Sequence, residues 1–233
     1  MSMKTMESPT NVERIPIVDT SVSLVINPVT QPHWFTFFKR LLDLIISGVG
    51  LLVLTPLFAA IYIIIKYDNP SHPVFFSQIR VGKGGKTFRM YKFRTMVINA
   101  EQLKDDLLHL NEVTGAMFKM KNDPRITRIG RILRKSSLDE LPQLWNVIKG
   151  DMSLVGPRPP LPEEVANYNI YDIQRLSILP GCTGLWQVSG RNNVGFQDMV
   201  EFDLQYIQQQ SLKLDLHIIL KTIKVMFGTK DAF

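Results

Sequence analysis

The residues with the clearest capacity for chemistry are two adjacent carboxylates, Asp139 and Glu140, within the segment Ser136–Gln143. A series of arginines precedes them at a spacing of three residues: Arg125, Arg128, Arg131 and Arg134. On a helix this spacing gives a broad cationic face, and arginine binds phosphate oxygens in bidentate fashion. The ordinary alternative is a surface that faces solvent or lipid headgroups. Carboxylates next to such a series favour an enzyme that handles an anionic substrate.

Adjacency limits what the two carboxylates can do together. Neighbouring positions on a helix point about 100° apart, so the pair cannot flank a sugar from two sides as glycosidase carboxylates do. It does permit one residue to act as a nucleophile while the other binds Mg²⁺, which takes one or two carboxylates and bridges substrate phosphates. An aspartate that attacks phosphorus would form an acyl phosphate. The alternative is an Asp-Glu pair on a helix surface with no chemical role.

Composition narrows the class of partner. The 233-residue chain carries a formal net charge of +6, which favours anionic partners such as phosphates, acidic lipids or nucleic acid. Nucleic acid is not expected, because no recognition motif is present and a long apolar segment would remain unexplained. The single cysteine, Cys182, excludes an intrachain disulfide.

The apolar run from Leu41 to Ile65 is long enough to cross a hydrocarbon core of about 30 Å. However, Pro56 removes a backbone donor near its middle, and the hydroxyl of Thr55 can bind a backbone group that is left unpaired there. Basic residues flank both ends of the run. These features favour a re-entrant helix–break–helix over a straight span, with the break at Thr55-Pro56. We expect Asp43 to pair with Lys39 or Arg40 near the entrance.

A β-hairpin is predicted next, with strands Val74–Val81 and Thr87–Met96 around the glycine-rich turn 82–86. Alternation puts Lys92 and Arg94 on one face of the second strand, where two cations can hold a pyrophosphate. The alternative is a solvated strand edge protected by lysine. The turn matches neither a P-loop nor a dinucleotide fingerprint, because Arg80 and Thr87 stand where those motifs need glycine.

These patterns predict an α+β fold, predominantly helical with a small β-hairpin and associated with the membrane through one re-entrant segment. We expect three parts: a disordered polar lead (1–32), the re-entrant membrane helix (33–68) and a catalytic domain (69–233). The stretch Leu212–Phe227 is predicted to form either an interfacial amphipathic helix or a buried core helix.

Several long motifs together resemble the bacterial sugar transferases of the monotopic phosphoglycosyl transferase superfamily. The chain looks like a short form of these enzymes, without their additional N-terminal membrane helices. The resemblance runs from about Trp34 to the C-terminus. It is carried by KRLLD (39–43), PVFFSQIRVGKGGKTFRMYKFRTM (73–96), RKSSLDELPQLWNVIKGDMSLVGPRP (134–159) and PGCTGLWQVSGR (180–191).

The resemblance implies transfer of a sugar-1-phosphate from a UDP-sugar to undecaprenyl phosphate, with release of UMP. The expected sugar is glucose or galactose, and the expected location is the cytoplasmic face of the bacterial inner membrane. Asp139 matches the family nucleophile and Glu140 its Mg²⁺ ligand. Residues that match phosphate-binding or substrate-binding cations are Arg134, Arg158, Lys83, Lys86, Lys92 and Arg94. The alternative is a non-catalytic, membrane-anchored module that binds polyprenyl phosphate or acidic lipid.

Overall fold

The computed structural model describes residues 31–112, 120, 122–189 and 195–228, without the side chains of residues 104, 105 and 226–228. The predicted disordered lead (1–32) lies outside these residues except for its last two positions. The described chain is mostly helical and contains two small two-stranded sheets. The predicted α+β class with a β-hairpin is therefore confirmed, although one of the two sheets was not anticipated.

The described residues form ten α-helices, four strands and four 3₁₀ turns. The longer helices are α1 (His33–Val53), α2 (Thr55–Asp68), α4 (Arg128–Lys135), α9 (Phe196–Gln209) and α10 (Leu212–Gly228). Shorter helices are α3 (Gln102–Leu107), α5 (Gln143–Lys149), α6 (Pro162–Val165), α7 (Ile170–Ile173) and α8 (Leu185–Ser189). The strands are β1 (Phe75–Val81), β2 (Thr87–Phe93), β3 (Ser153–Val155) and β4 (Gly181–Thr183). Single 3₁₀ turns occupy Lys83–Gly85, Leu108–Leu110, Leu138–Glu140 and Gln174–Ser177.

The apolar run breaks where the sequence predicts. Helix α1 ends at Val53, α2 begins at Thr55, and the two axes differ by 57°. Pro56 lies in the first turn of α2, where its missing N–H is tolerated. The Thr55 hydroxyl donates to the carbonyl of Leu51 at 2.9 Å. Within the described residues no single helix is long and apolar enough to cross a membrane, but this bent pair meets that test jointly.

The hairpin pairs in register from Phe75 opposite Phe93 to Val81 opposite Thr87. Its second strand ends at Phe93, three residues before the predicted Met96. The buried side chain of Asn146 on α5 covers the outer edge of β2, accepting from the N–H of Tyr91 at 3.0 Å and donating to the carbonyl of Arg89 at 2.7 Å. A side chain therefore satisfies backbone groups that a third strand would otherwise pair.

A second sheet, which the sequence did not reveal, consists of the parallel strands β3 and β4. Each strand has only three residues, too few for an alternating pattern to be recognised. The strands approach so closely that a Cβ on Gly181 would lie 2.1 Å from the backbone nitrogen of Gly156. The N–H of Gly181 also donates to the carbonyl of Pro157 at 2.8 Å. These contacts hold the proline-rich segment 157–160 beside β4.

Helix α1 binds the rest of the protein through its polar residues. Lys39 donates to the buried carboxylate of Asp215 on α10 at 2.6 Å. The Arg40 guanidinium donates to the carbonyls of Val147 (2.7 Å) and Ile148 (3.0 Å), the last turn of α5. Asp43 is buried and accepts from the N–H of Leu154 at 3.0 Å. Lys39 and Arg40 direct their hydrogen bonds to groups distant in sequence, so of the predicted pairing of Asp43 only the attraction between its carboxylate and the nearby charge of Lys39 is present.

Two hydrophobic clusters hold the two arms of the broken helix. Beneath α1, the main cluster includes buried residues of α5, β3, α9 and α10: Val147, Val155, Tyr206 and Ile218. Ile61 and Ile65 of α2 are buried in a second cluster with Phe93 of the hairpin and Leu133 of α4. Both arms therefore rest on the same folded body.

Helix α10 is partly a core helix, as one of the two alternatives predicts, and its location at a lipid interface stays a prediction. Asp215 and Ile218 are buried against the core. Leu216, Leu220 and Ile223 are exposed, so a second apolar side of the helix is not covered by the described chain.

Candidate active site

A cleft of about 290 Å³ opens between the hairpin, the 3₁₀ turn Leu138–Glu140, the segment 157–160 and the β4–α8 region. Its charged side chains are Arg80, Lys92, Arg134, Asp139, Glu140 and Arg158. Its remaining lining comes from Met90, Ser137, Gln143, Pro159, Gly181, Cys182, Trp186 and Gln187. We refer to this space as the cationic cleft, because four of its six charged residues are cations.

Asp139 reaches the cleft through a sharp turn after α4. Ser137 has a φ of +55°, in the left-handed region, and its N–H bonds to the carbonyl of Arg134 at 3.0 Å. Such a conformation is unfavourable for a residue with a side chain and is concentrated at functional sites. The 3₁₀ turn that follows leaves Asp139 only 6% exposed. The backbone thus directs the carboxylate of Asp139 inward.

The surroundings of Asp139 make its ionised form costly. Burial raises the pKa of Asp139 from 3.8 to about 6, and the neighbouring charge of Glu140 acts in the same direction. The positive charges of Lys92 and Arg134 oppose this rise in pKa without cancelling it. At neutral pH the side chain is therefore a weakly solvated carboxylate near cations, which is suited to act as a nucleophile.

Glu140 projects further towards solvent than Asp139, with its side chain 42% exposed. Its Oε1 accepts a hydrogen bond from Nζ of Lys92 at 2.6 Å. Lys92 lies on β2, two residues after the buried Met90, and both residues line the cleft. The strand thereby connects the hairpin to the carboxylate pair.

Arg134 is oriented by Thr95, which follows β2. The Arg134 Nε donates to Oγ1 of Thr95 at 2.9 Å, and the Thr95 carbonyl accepts from the N–H of Thr127 at 3.0 Å. A Cβ on Gly130 would lie 2.0 Å from the same carbonyl, so only glycine allows α4 to approach this closely. The docking of α4 against Thr95 determines where Arg134 enters the cleft.

Arg158 enters from the opposite wall. Its Nη1 lies 3.2 Å from Oε2 of Glu164, which is 2% exposed and also accepts from the N–H of Leu161 at 2.9 Å. The carbonyl of Arg158 accepts from Nη2 of Arg175 at 3.4 Å. Arg158 is therefore held at both its side chain and its backbone.

The structure brings together five of the eight predicted catalytic and substrate-binding residues: Asp139, Glu140, Arg134, Arg158 and Lys92. Lys83 and Lys86 lie exposed at the hairpin turn and do not line the cleft. Arg94 also lies outside it, because β2 ends at Phe93 and the Arg94 Nε donates to the carbonyl of Pro73 at 3.0 Å. Arg94 lies over the ring of Phe76, the cross-strand partner of Lys92, so the two cations share a face of the hairpin as predicted, although only Lys92 lines the cleft. Substrate binding by Lys83, Lys86 and Arg94 stays a prediction.

The arginine series does not share one face as predicted. Arg125 precedes α4 and is buried against Asp123, with Nη2 and Oδ2 at 2.6 Å. Arg128 and Arg131 are exposed, whereas Arg134 lies in the cleft. Arginines at one regular spacing therefore lie in three different environments: a buried ion pair, the exposed surface and the cleft.

Nine of the fourteen cleft residues were not assigned a site role from the sequence, among them Arg80, Gln143, Cys182 and Trp186. Arg80 stands in the first hairpin strand, where an isolated arginine resembles any strand-edge charge. No local pattern marks these positions, since they reach the cleft only through the packing of separate segments.

The carboxylate pair fits a magnesium ion. Among the described residues no group of three or more His, Cys, Asp or Glu side chains is arranged to hold a metal. Mg²⁺ does not need such a group, because it uses one or two protein carboxylates and completes its coordination with water and substrate phosphates. Glu140, partly exposed at the cleft beside Asp139, offers a hard oxygen donor of this kind.

Comparison with known proteins shows that the chain belongs to the bacterial sugar transferase family, whose profile matches residues 34–229. It is 51% identical over 193 residues to the galactosyl transferase CpsE of Streptococcus agalactiae, covering 82% of this chain and 42% of that protein. It is 45% identical over 201 residues to the undecaprenyl-phosphate galactose phosphotransferase of Salmonella typhimurium (84% and 42% covered).

The exopolysaccharide production protein ExoY of Rhizobium meliloti is 43% identical over 199 residues, which cover 84% of this chain and 88% of ExoY. The chain thus spans about two fifths of the length of the Streptococcus and Salmonella relatives and most of the length of ExoY.

The raised pKa of Asp139 predicts that Asp139→Asn stabilises the fold near neutral pH. An unfolded aspartate ionises near 3.8 and the folded one near 6, so the free energy of unfolding falls as pH rises through this interval. Above about pH 6 the ionised Asp139 lowers the free energy of unfolding by its full amount, which is at most about 3 kcal/mol. Thermal melting at about pH 7.5 should show Asp139→Asn several degrees above wild type. The difference in melting temperature should shrink towards pH 4. A difference that does not change with pH would contradict the raised pKa of Asp139.

Proposed function

We propose that this chain transfers a hexose-1-phosphate from a UDP-sugar to undecaprenyl phosphate and releases UMP. The observation that carries the proposal is the buried carboxylate of Asp139, next to Glu140 and close to the charges of Lys92 and Arg134. A cleft with excess positive charge suits a donor that brings a diphosphate. The buried carboxylate within it provides a nucleophile for phosphorus.

In the first step, an oxygen of the ionised Asp139 attacks the β-phosphorus of the donor. A bond forms between this oxygen and phosphorus while the bond from phosphorus to the bridging oxygen breaks. UMP leaves with the electron pair of that bond, and Asp139 carries the sugar phosphate as an acyl phosphate. In the second step, a phosphate oxygen of undecaprenyl phosphate attacks the same phosphorus and releases the Asp139 carboxylate. The product is an undecaprenyl diphosphate sugar.

The cations of the cleft lower the barrier for both steps. Negative charge moves from the attacking group to the leaving group across phosphorus, so fixed positive groups around it stabilise the transition state. Arg134 and Arg158 are held from opposite walls by neighbouring residues and need little reorientation to bind phosphate oxygens. When bound at Glu140, Mg²⁺ would neutralise charge on the diphosphate oxygens.

The names of the relatives guide the choice of sugar and acceptor. One is a galactosyl transferase, and another is an undecaprenyl-phosphate galactose phosphotransferase. These names support galactose as the transferred hexose, with glucose as the alternative. ExoY is named for exopolysaccharide production. We therefore propose that the reaction is the first membrane step in the synthesis of an exopolysaccharide, capsule or O-antigen.

We further propose that α1 and α2 form a re-entrant anchor on the cytoplasmic face of the bacterial inner membrane. The first half of α1 is fixed through Lys39, Arg40 and Asp43, and α2 is fixed through Ile61 and Ile65. Because both arms contact one folded body, a straight crossing would require one set of these contacts to break. Exposed apolar residues near the bend, such as Leu52 and Val53, would enter the lipid.

Asp139→Asn should lower UMP release by about a thousandfold or more, because the amide is not a nucleophile for phosphorus. The assay uses purified protein with undecaprenyl phosphate, Mg²⁺ and a panel of UDP-glucose, UDP-galactose and an N-acetylated UDP-hexosamine. Without the acceptor, intact-mass analysis of the wild type should show the addition of one hexosyl phosphate. Asp106→Asn is the matched control, since Asp106 is exposed on α3.

Two results would contradict this assignment. UMP release by Asp139→Asn at the wild-type rate would remove Asp139 from the reaction. Failure of the folded, membrane-bound wild type with every donor would favour the non-catalytic binding module.

Glu140→Gln should raise the Mg²⁺ concentration needed for half-maximal activity by about tenfold or more, since the amide is a weaker ligand for a hard cation. The measurement is the rate of UMP release as a function of Mg²⁺ concentration. Glu101→Gln, another exposed glutamate, should match wild type. An unchanged Mg²⁺ dependence in Glu140→Gln would exclude Glu140 as a ligand.

The re-entrant topology predicts that both ends of the helix pair are reached from the cytoplasm only. Cys182→Ser removes the single cysteine. His33→Cys and Ser71→Cys then mark exposed positions at the first residue of α1 and shortly after the end of α2. In intact spheroplasts an impermeant maleimide should label neither cysteine, and after lysis it should label both. Labelling of one of them in intact spheroplasts would indicate a straight span.

A further inference from the structure

We infer that Arg80 is an additional substrate-binding residue, which binds the diphosphate of the donor from the floor of the cationic cleft. This inference rests on the proposed function and adds a residue to it. Arg80 lies near the end of β1 and lines the cleft with Arg158, although it is only 8% exposed.

The hydrogen bonds of Arg80 are made to neutral acceptors. Nη1 donates to the carbonyl of Pro159 at 3.0 Å, and Nη2 donates to Oε1 of Gln78 at 2.8 Å. The Nε atom is buried and has no hydrogen-bond partner. Within the part of the chain that the structure describes, Arg80 forms no salt bridge with a carboxylate. The buried guanidinium therefore has no carboxylate in direct contact and keeps an unused donor, although the charges of Glu164 and Glu140 act on it from a distance.

Nearby carboxylates are already engaged by other cations. Glu164 is paired with Arg158, and Glu140 is paired with Lys92. Burial, followed by the positive charge of Arg158, lowers the pKa of Arg80 to about 10, which leaves it charged at neutral pH. Two arginines that repel each other in one cleft are stabilised together when an anion lies between them.

A diphosphate would supply the negative charge and the hydrogen-bond acceptors that Arg80 and Arg158 lack between them. Guanidinium groups bind phosphate oxygens in bidentate fashion, and a buried charge is costly unless it is paired. A donor diphosphate would supply negative charge to both Arg80 and Arg158. The alternative is a purely structural role, in which Arg80 joins the hairpin to the segment 157–160 through Pro159.

The test compares the affinities of UDP and uridine in the presence of Mg²⁺, measured by calorimetry with wild type, Arg80→Met and Arg80→Lys. Arg80→Met keeps the length of the side chain and removes its charge. It should weaken UDP binding by about 10- to 100-fold and leave uridine binding within about twofold. Arg80→Lys keeps a charged donor for the Pro159 carbonyl and loses the planar fork, so it should give a smaller loss for UDP. Arg89→Met, at an exposed position of β2, is the matched control and should bind UDP as wild type does.

The outcomes separate this inference from the proposed function. UDP binding by wild type, with equal UDP affinity in Arg80→Met, would overturn the role of Arg80 alone. Equal losses for UDP and uridine, together with a lowered melting temperature, would assign Arg80 the structural role. If Arg80→Met does not fold, Arg80→Lys decides, because unchanged UDP affinity in that variant would overturn bidentate binding. Absence of UDP binding by wild type would overturn both proposals.

Discussion

The arrangement of this protein depends on keeping one carboxylate and several cations close together in a poorly solvated cleft. Each of these charges is costly to bury, so each requires support from elsewhere in the fold. Arg134 is oriented by Thr95, Arg158 by Glu164, and Lys92 by Glu140. The supporting groups come from segments far apart in the chain, which explains why several short elements converge on one small space.

Behind the cleft, Arg175, Asp203 and Tyr168 form a buried polar network that contacts the backbone of Arg158. Arg175 and Asp203 are both nearly inaccessible and pair at 2.6 Å between Nη2 and Oδ2. Arg175 also donates to the hydroxyl of Tyr168 at 2.8 Å and to the carbonyl of Arg158. Breaking a buried ion pair by removing one partner typically costs about 3–5 kcal/mol. The network therefore connects the position of Arg158 to the core beneath α9, and disturbance there would reach the cleft.

The bent helix pair is connected to the same body by polar contacts on the otherwise apolar helix α1. Lys39, Arg40 and Asp43 turn towards the protein and bind groups on α10, α5 and β3. The outer side of α1 remains apolar, with residues such as Phe37 and Val49 exposed. One helix thus carries both the contacts that orient the domain and the surface that suits lipid. In the proposed reaction, this arrangement would hold the cleft near an acceptor that stays in the bilayer.

The sequence by itself determined the features that depend on local chemistry. Pro56 and Thr55 specify the helix break, the turn 82–86 specifies the hairpin, and Asp139-Glu140 identify the candidate carboxylates. Tertiary structure decided which cations meet those carboxylates. Lys92 and Arg94 are equivalent by alternation, yet β2 ends between them and only Lys92 lines the cleft. Arg80 carries no local signal and reaches the same cleft because Pro159, nearly eighty residues later, packs against it. Local patterns specify backbone conformation and burial, whereas the grouping of charges depends on contacts between distant segments, which no short stretch of sequence contains.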